Sequence, residues 1–492
     1  MIYYSPHRKA HRRWKGQTRL CRLTIAVQIL LLLTVSLVVC GLLEMSDMGA
    51  SLLSLSGQKA MDQAPLEVGE GQGQEGSTKY TYTYKTLPGY FMQDDPATDA
   101  AKFDFMSTNF GLIDRDYESD QSLPDGGRGS TQWQRFEHHI STLNRDARED
   151  NDEDRRSAKR HGSNPPPQTR YVLFFLGRHG NGYHNIAERY YGNIAWDCHF
   201  SALYGDPDGI MTWSDAHLSK EGKRQAREVN TFWKNQTSQD AQKMSLPELY
   251  LVSPLDRTLE TAEISFDGLG PNNGKLDAVV MEKVREGTGI HTCDRRSNVE
   301  YIRQKFPTYN VDLDPNLTET DEYWIGDRRE PDDVLVKRLR GFFDDLMSNT
   351  ALAGDKERIS ITSHSGAIGA MLKVLGHRKF SLTTGAVIPV FVKVQRKSSN
   401  DEKEDKTLGR RHGGGGEGAN HEDPTLDLPD LGDAETDKSK WEPVPSCPAD
   451  LDLATVGQKR WGMGLKEFLD GVEDGTLDPN AVPFEFTGRS KY

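Results

Sequence analysis

The chain has 492 residues, with 61 Lys and Arg against 74 Asp and Glu, for a formal net charge of −13. That balance excludes a general affinity for nucleic acid, and an anionic ligand needs a local basic pocket. Apolar residues make up 35% of the chain, low for a sequence packed throughout, so part of the length is expected outside a core.

Residues 1–23 form a basic tail that contains Arg8, Lys9, Arg12, Arg13, Lys15, Arg19 and Arg22. From Thr24 to Leu43 there are 20 residues without a charge. A helix of that length spans about 30 Å, the thickness of a bilayer's hydrocarbon core. Glu44 and Asp47 follow it. The flanking charges predict a single-pass protein with its N-terminus in the cytosol and the remainder lumenal or extracellular. The length of the run and of the basic segment favours an uncleaved signal-anchor over a cleaved signal peptide. The sequons Asn235-Gln236-Thr237 and Asn316-Leu317-Thr318 fit that placement. Cys198, Cys293 and Cys447 fall in the main domain, where an oxidising compartment allows one disulfide; the sequence does not pair them.

Residues 44–168 read as a stalk and a partly ordered extension. The stretch to about residue 80 is rich in Gly, Gln, Ser and Glu. Tyr80, Tyr82, Tyr84, Tyr90, Phe91, Phe103, Phe105 and Phe110 are too many aromatics for a linker and are expected to pack on the domain. Residues 145–168 are dominated by charge and end in Pro165-Pro166-Pro167, a further linker signal.

Order begins at Tyr171. The apolar run Tyr171–Leu176 suits a strand buried on both faces. A helix follows from Ser219, its N-cap, to Asn235. Glu248–Ser253 reads as a second strand, with a helix from Leu255 to Phe266, and Ala278–Val284 as a third. A helix is expected over Asp332–Met347, a fourth strand over Arg358–Ser363 with a helix through Leu375, and a fifth strand over Val387–Val394. The alternation predicts an α/β fold, a three-layer α/β/α sandwich with a mainly parallel sheet. The catalytic domain is expected over 169–395 and 441–480, with a helix near Leu465–Val472. An acidic, glycine-rich insertion at 396–440, expected to be disordered, divides it.

Parallel sheets bind ligands beyond the carboxyl ends of their strands. Gly177-Arg178-His179-Gly180 follows the first strand and Ser253-Pro254-Leu255-Asp256-Arg257-Thr258 the second. Arg285-Glu286-Gly287 ends the third and Ser363-His364-Ser365-Gly366 follows the fourth. Two histidines, two or three arginines and an acid thus arise where one sheet edge collects them. Guanidinium groups match phosphate oxygens. A neutral imidazole can attack phosphorus and hold the phosphoryl group, and an acid can protonate the leaving oxygen. A second Arg411-His412-Gly413 has no strand before it and is a decoy.

These blocks resemble the histidine phosphatase superfamily, in its phosphoglycerate mutase-like branch. Arg178-His179-Gly180 matches that family's signature, and Asn181-Gly182-Tyr183-His184-Asn185 continues it in the form of fungal and plant mutase-like proteins. Ser253-Pro254-Leu255-Asp256-Arg257 matches the second block. Arg285-Glu286 with Gly289, His291, Cys293-Asp294 and Arg296 resembles a third, and Ser363-His364-Ser365-Gly366 the last. Asp215, Leu218, Ser219 and Gly222 resemble the family's helix-opening stretch, and the likeness covers about 170–395. It implies a phosphoglycerate mutase-like fold and His179 as nucleophile. Arg178, Arg257 and His364 are the implied phosphate pocket, Asn185 is either an assisting ligand or a helix cap, and Glu286 is the implied proton donor.

The sequence departs from the mutases at Asn181 and Gly182, where they carry an acid and a hydroxyl residue. It also lacks the Arg-x-Pro of the secreted acid phosphatases. The reading is therefore a membrane-anchored phosphomonoester hydrolase acting on a small phosphorylated substrate through phosphohistidine, without metal or cofactor. The alternatives are a phosphoglycerate mutase-type phosphotransferase and a non-catalytic anchored glycoprotein. His184, His199 and His291 are expected to be structural or to line the substrate rim.

Overall fold

The computed structural model describes residues 80–161, 168–398 and 437–479. The chain divides into two units, 1–76 and 77–492, and the described residues belong to the second. The basic tail, the apolar run 24–43, the stalk before Tyr80, Pro165–Pro167, most of the 396–440 insertion and Arg411-His412-Gly413 lie outside them. Among the described residues no helix is long and apolar enough to cross a membrane.

In chain order the first half holds β1 (Tyr80–Thr86), α1 (Gln132–His161), β2 (Gln168–Arg178), α2 (Tyr183–Tyr191), α3 (Asn193–Cys198) and α4 (Lys220–Thr237). Next come β3 (Leu249–Val252), α5 (Asp256–Ser265), β4 (Val279–Val280), α6 (Val299–Lys305), β5 (Arg328–Arg329) and α7 (Asp332–Ser348). Last come β6 (Arg358–Ser363), α8 (Ser365–Val374), β7 (Val387–Ser398), β8 (Glu442–Pro443), α9 (Val456–Trp461) and α10 (Leu465–Asp474). The main sheet has the order β1-β7-β2-β6-β3-β4. Pairings β2–β6, β6–β3 and β3–β4 are parallel, and β7 runs antiparallel to both β2 and β1.

The apolar run is central and buried on both faces, as its lack of alternation requires. Val172, Phe174 and Leu176 pack with Leu339, Phe342 and Phe343 of α7 and Ile368, Met371 and Leu372 of α8. Leu173 and Phe175 face the other layer, with Trp133 and Phe136 of α1 and Phe232 and Trp233 of α4. That is the α/β/α sandwich. A third cluster joins Ile186 and Tyr190 of α2 to Trp196 of α3, Trp213 and Phe468 of α10. The disulfide Cys198–Cys447 staples the C-terminal segment there, and Cys293 is free and buried.

Three local expectations change. Residues 145–161 are not linker but the second half of α1. Trp133, Phe136 and Ile140 bury one stripe of its first turns, and the charged residues that follow are good helix formers that continue it. The third strand has only two residues. The chain then makes a 3-10 turn over Glu282–Val284, where the Glu282 N–H donates to Asp314 and its carboxylate is held by Arg285 and Arg296. The fifth strand is antiparallel and longer, because β7 must also pair with β1. That edge strand, Tyr80–Thr86, carries three of the aromatics expected to pack on the domain, and Tyr82 and Tyr84 are buried against the α7 layer. The helices α1, α2, α3, α6 and α9 were not foreseen.

Register decides what the sheet presents. Parallel pairing sets Arg178 opposite Ser363 and Val252 opposite Thr362. His179, Ser253 and His364, the next residues of three strands, therefore leave one edge side by side.

Candidate active site

His179 is 2% exposed. Its N–H donates to the Ser363 carbonyl at 3.0 Å, and its carbonyl accepts from Gly385 N at 2.9 Å, so the backbone is fixed on both sides. Nδ1 lies 2.7 Å from the Gly180 carbonyl oxygen. A carbonyl only accepts, so this contact assigns the proton to Nδ1 and leaves the lone pair on Nε2. Burial, with the charges of Arg257 and Arg178, holds the ring well below the ordinary imidazole range. The imidazole is neutral at pH 7, as a nucleophile requires.

The loop after it fits only with glycine. A Cβ on Gly180 would lie 2.5 Å from the Gly222 carbonyl oxygen, and one on Gly222 would lie 2.1 Å from that of Asn181. The start of α4 thus packs directly on the loop. Ser219 caps that helix by accepting from Gly222 N at 3.1 Å and donates to the Asn181 carbonyl at 3.0 Å.

His364 is fully buried, its ring centroid 5.1 Å from that of His179. Its Nε2 is 2.7 Å from Ser253 Oγ, and its Nδ1 has no hydrogen-bond partner among the described residues. His184 of α2 lies 5.3 Å from His179 on the other side, again with an unpartnered Nδ1. Burial first, then Arg257, lowers both well below the ordinary range. Three neutral imidazoles meet where sequence reasoning placed two. The signal for the third was present, since His184 stands in the stretch that continues the signature.

Arg257 is 1% exposed. Its Nη1 donates to the Cys293 carbonyl at 2.5 Å, its Nη2 to Asp294 at 2.9 Å, and its Nε has no partner among the described residues. Arg178 donates through Nη1 to the Leu382 carbonyl at 2.7 Å, and its Nε is also unpartnered. Buried polar atoms without partners are uncommon. Here four of them, on two arginines and two histidines, belong to the residues grouped around His179. That donor set suits a phosphate.

Beneath it, Asp256 fixes the first turn of α5. The carboxylate is fully buried and accepts from His217 at 2.6 Å, Tyr301 at 2.7 Å and Lys305 at 2.6 Å, while its N–H donates to Asp215 at 2.9 Å.

Three residues stand apart from the expected pocket. Arg285 is bound up in ion pairs with Glu282 at 2.5 Å and Asp321 at 2.7 Å, so it is a structural cation. Asn185 takes the helix-cap alternative, its Oδ1 accepting from Gly182 N at 3.1 Å. Glu286 accepts from Gly366 N at 3.0 Å, Ala367 N at 2.9 Å and Gly287 N at 3.0 Å. Its carboxylate thereby caps the helix that begins after His364, where negative charge is favoured.

His199 packs edge-on against Phe200. The ligand atoms of His291, Cys293 and Asp294 lie within 4.8 Å of one another. Both Asp294 oxygens, however, accept from guanidinium groups, Arg257 at 2.9 Å and Arg329 at 3.1 Å. A cation there would sit against two positive charges, so the donor set suits the arginines rather than a metal.

Residues 206–385 match the model of the histidine phosphatase superfamily, branch 1. A protein of Arthroderma benhamiae called "Probable phosphoglycerate mutase" is 42% identical over 330 residues, covering 66% of this chain and 89% of its own. "Probable phosphoglycerate mutase PMU1" of Saccharomyces cerevisiae is 34% identical, over 46% of this chain and 79% of its own. An Arabidopsis thaliana "Phosphoglycerate mutase-like protein" is 26% identical, over 43% and 77%.

Proposed function

Since this chain belongs to the histidine phosphatase superfamily, in its phosphoglycerate mutase-like branch, we propose that it hydrolyses small phosphomonoesters through a phosphohistidine on His179. The observation that carries this reading is the neutral ring of His179, its Nε2 lone pair free, between His184 and His364 and under the charges of Arg178 and Arg257. Nε2 attacks phosphorus and the ester oxygen leaves. The two guanidinium groups neutralise the charge spread over the equatorial oxygens, with His364 beside His179. Water then attacks the phosphohistidine and releases phosphate.

The names of the relatives favour a mutase as the second reading. Against it, Asn181 Oδ1 accepts from Ser219 Oγ at 2.9 Å, and a Cβ on Gly182 would lie 2.7 Å from His184 Nδ1. The two positions that differ from the mutases thus serve the packing of the signature loop. Assay of the purified full-length chain with a panel of phosphoesters, and separately with 3-phosphoglycerate, separates the two. Net phosphate release faster than isomer formation is expected; isomer formation outpacing release would make the chain a mutase.

We infer further that the first 43 residues anchor the chain, with the N-terminus cytosolic and residues 44–492 lumenal or extracellular. The uncharged run and its basic flank support this. So do a disulfide, common in oxidising compartments, and sequon asparagines that are exposed at both Asn235 and Asn316. Protease added to sealed microsomes should leave the large domain intact; its digestion from the cytosolic side would reverse the topology.

A further inference from the structure

Residues 437–479 return to the core after the insertion and hold two elements that carry the site. At one end β8 pairs with β5, with Pro443 opposite Arg328 and Glu442 opposite Arg329. Among the described residues β8 is the only strand partner of β5. Arg328 donates to the Trp441 carbonyl at 3.3 Å, and Lys438 donates to the Glu322 and Tyr323 carbonyls at 2.9 and 2.6 Å. At the other end α9 and α10 lie against α2, the helix that carries His184. Trp461 Nε1 donates to the Arg189 carbonyl at 3.1 Å, and the Tyr183 hydroxyl donates to Glu473 at 3.0 Å. A Cβ on Gly457 would lie 2.1 Å from the Tyr190 ring, so α9 meets α2 with no side chain between them.

Arg329 connects the first of these contacts to the chemistry. Its Nη1 donates to one Asp294 oxygen at 3.1 Å and to the Gly289 carbonyl at 3.1 Å, and the other Asp294 oxygen accepts from Arg257 at 2.9 Å. Asp294 is buried, so its carboxylate depends on these guanidinium groups. A path thus runs from β8 through Arg329 and Asp294 to Arg257. Between the two ends of the segment stands Cys447, bound to Cys198 at the end of α3. The segment follows β7 only through residues 399–436, so this bond is a second covalent tie to the core, across 249 residues. Both cysteines are partly exposed and open to attack by a small thiol.

We propose that residues 437–479 form a strap that completes the phosphate pocket through Arg329, with Cys198–Cys447 as its latch, so that the chain is fully active only when oxidised. Arg329 is a positioning residue, acting through Asp294 on Arg257; the proposal rests on the reading of Arg257 as a phosphate donor. The latch opens by exchange with a dithiol. One dithiol thiolate attacks a sulfur of the pair, the S–S bond breaks, and the cysteine thiolate released takes a proton. The second dithiol thiolate attacks the mixed disulfide, closes a cyclic disulfide and releases the other cysteine, which is protonated in turn. The protein gains two electrons and two protons, and the dithiol loses the same. With the latch open, β8 leaves β5 and Arg329 no longer holds Asp294 in place.

The test uses the folded full chain, treated with dithiothreitol and then alkylated, with peptide mapping to show label on Cys198 and Cys447. The kcat for p-nitrophenyl phosphate should fall about 100-fold, the scale of a small misplacement at a catalytic group, and reoxidation with oxidised glutathione before alkylation should restore it. Far-UV circular dichroism should be retained, while limited proteolysis should newly cut within 437–479. C447S should show the low kcat with or without dithiol. R329A should show the same loss while oxidised, and reduction should add little to it. Full kcat with both cysteines alkylated, continued protection of 437–479 after reduction, or an undiminished effect of reduction in R329A would overturn the proposal. So would collapse of the whole spectrum on reduction, which would make the bond a general staple. Failure of the phosphatase reading leaves a different mark, since the oxidised chain itself would release no phosphate.

Discussion

Replacing His179 by alanine lowers kcat by more than about 10⁴-fold, the scale on which loss of a covalent nucleophile acts, while the fold persists. The loss falls on kcat rather than KM, because the attacking atom is removed and the arginines that bind the anion are not. The backbone bonds that place residue 179, to Ser363 and Gly385, do not involve the side chain, so alanine leaves the loop where it is. The depressed ring of His179 adds a pH signature. A folded-state value below the ordinary imidazole range keeps the nucleophile unprotonated as pH falls through about 6.5. The acid limb of kcat/KM therefore lies well below that point. Steady-state kinetics from pH 4 to 9, with circular dichroism on the variant, check both statements.

Replacing Arg257 by alanine has two effects of different origin. Removal of one positioned donor of transition-state stabilisation lowers kcat by roughly 10²- to 10³-fold. The second effect is on stability. Burial raises the Asp294 carboxyl, but Arg329 and Arg257 outweigh it and hold it below its ordinary value. Deleting one of the two guanidinium groups leaves a buried carboxylate with Arg329 alone, at a cost of about 3 kcal/mol, the lower end for breaking a buried pair. Lysine does not restore either function, since one ammonium cannot reach the Cys293 carbonyl and Asp294 together and still offer a third donor. A urea titration alongside kcat separates the effects. A variant with normal kcat and a lowered midpoint would reduce Arg257 to a structural role.

Much of this site was legible because it obeys the strand-end rule. The run Tyr171–Leu176 is apolar without alternation, Arg358–Ser363 alternates isoleucine with small hydroxyl residues, and the residue after each emerges on the ligand edge. The alternation of strands and helices gave the three layers. What stayed hidden depends on contacts between distant segments. β7 reads as a strand either way, and only its pairing with β2 and β1, the latter's aromatic alternation also looking like a packed extension, shows its direction. The second half of α1 carries so little apolar surface that charge composition pointed to a linker, although the anchoring stripe lies one turn upstream. Arg285 stood only as a possible third arginine at the strand ends, since its partner Asp321 is 36 residues away in the chain.

The central claim is a covalent phosphohistidine on His179. Rapid quench of the full-length chain with an alkyl phosphate labelled in its phosphoryl group should trap label on the protein within the first turnover. The adduct should be stable in base, labile in acid, map to the peptide containing His179 and be absent from His179→Ala. Label on any other residue, or a His179→Ala chain that turns over at a near-normal rate, would contradict the account.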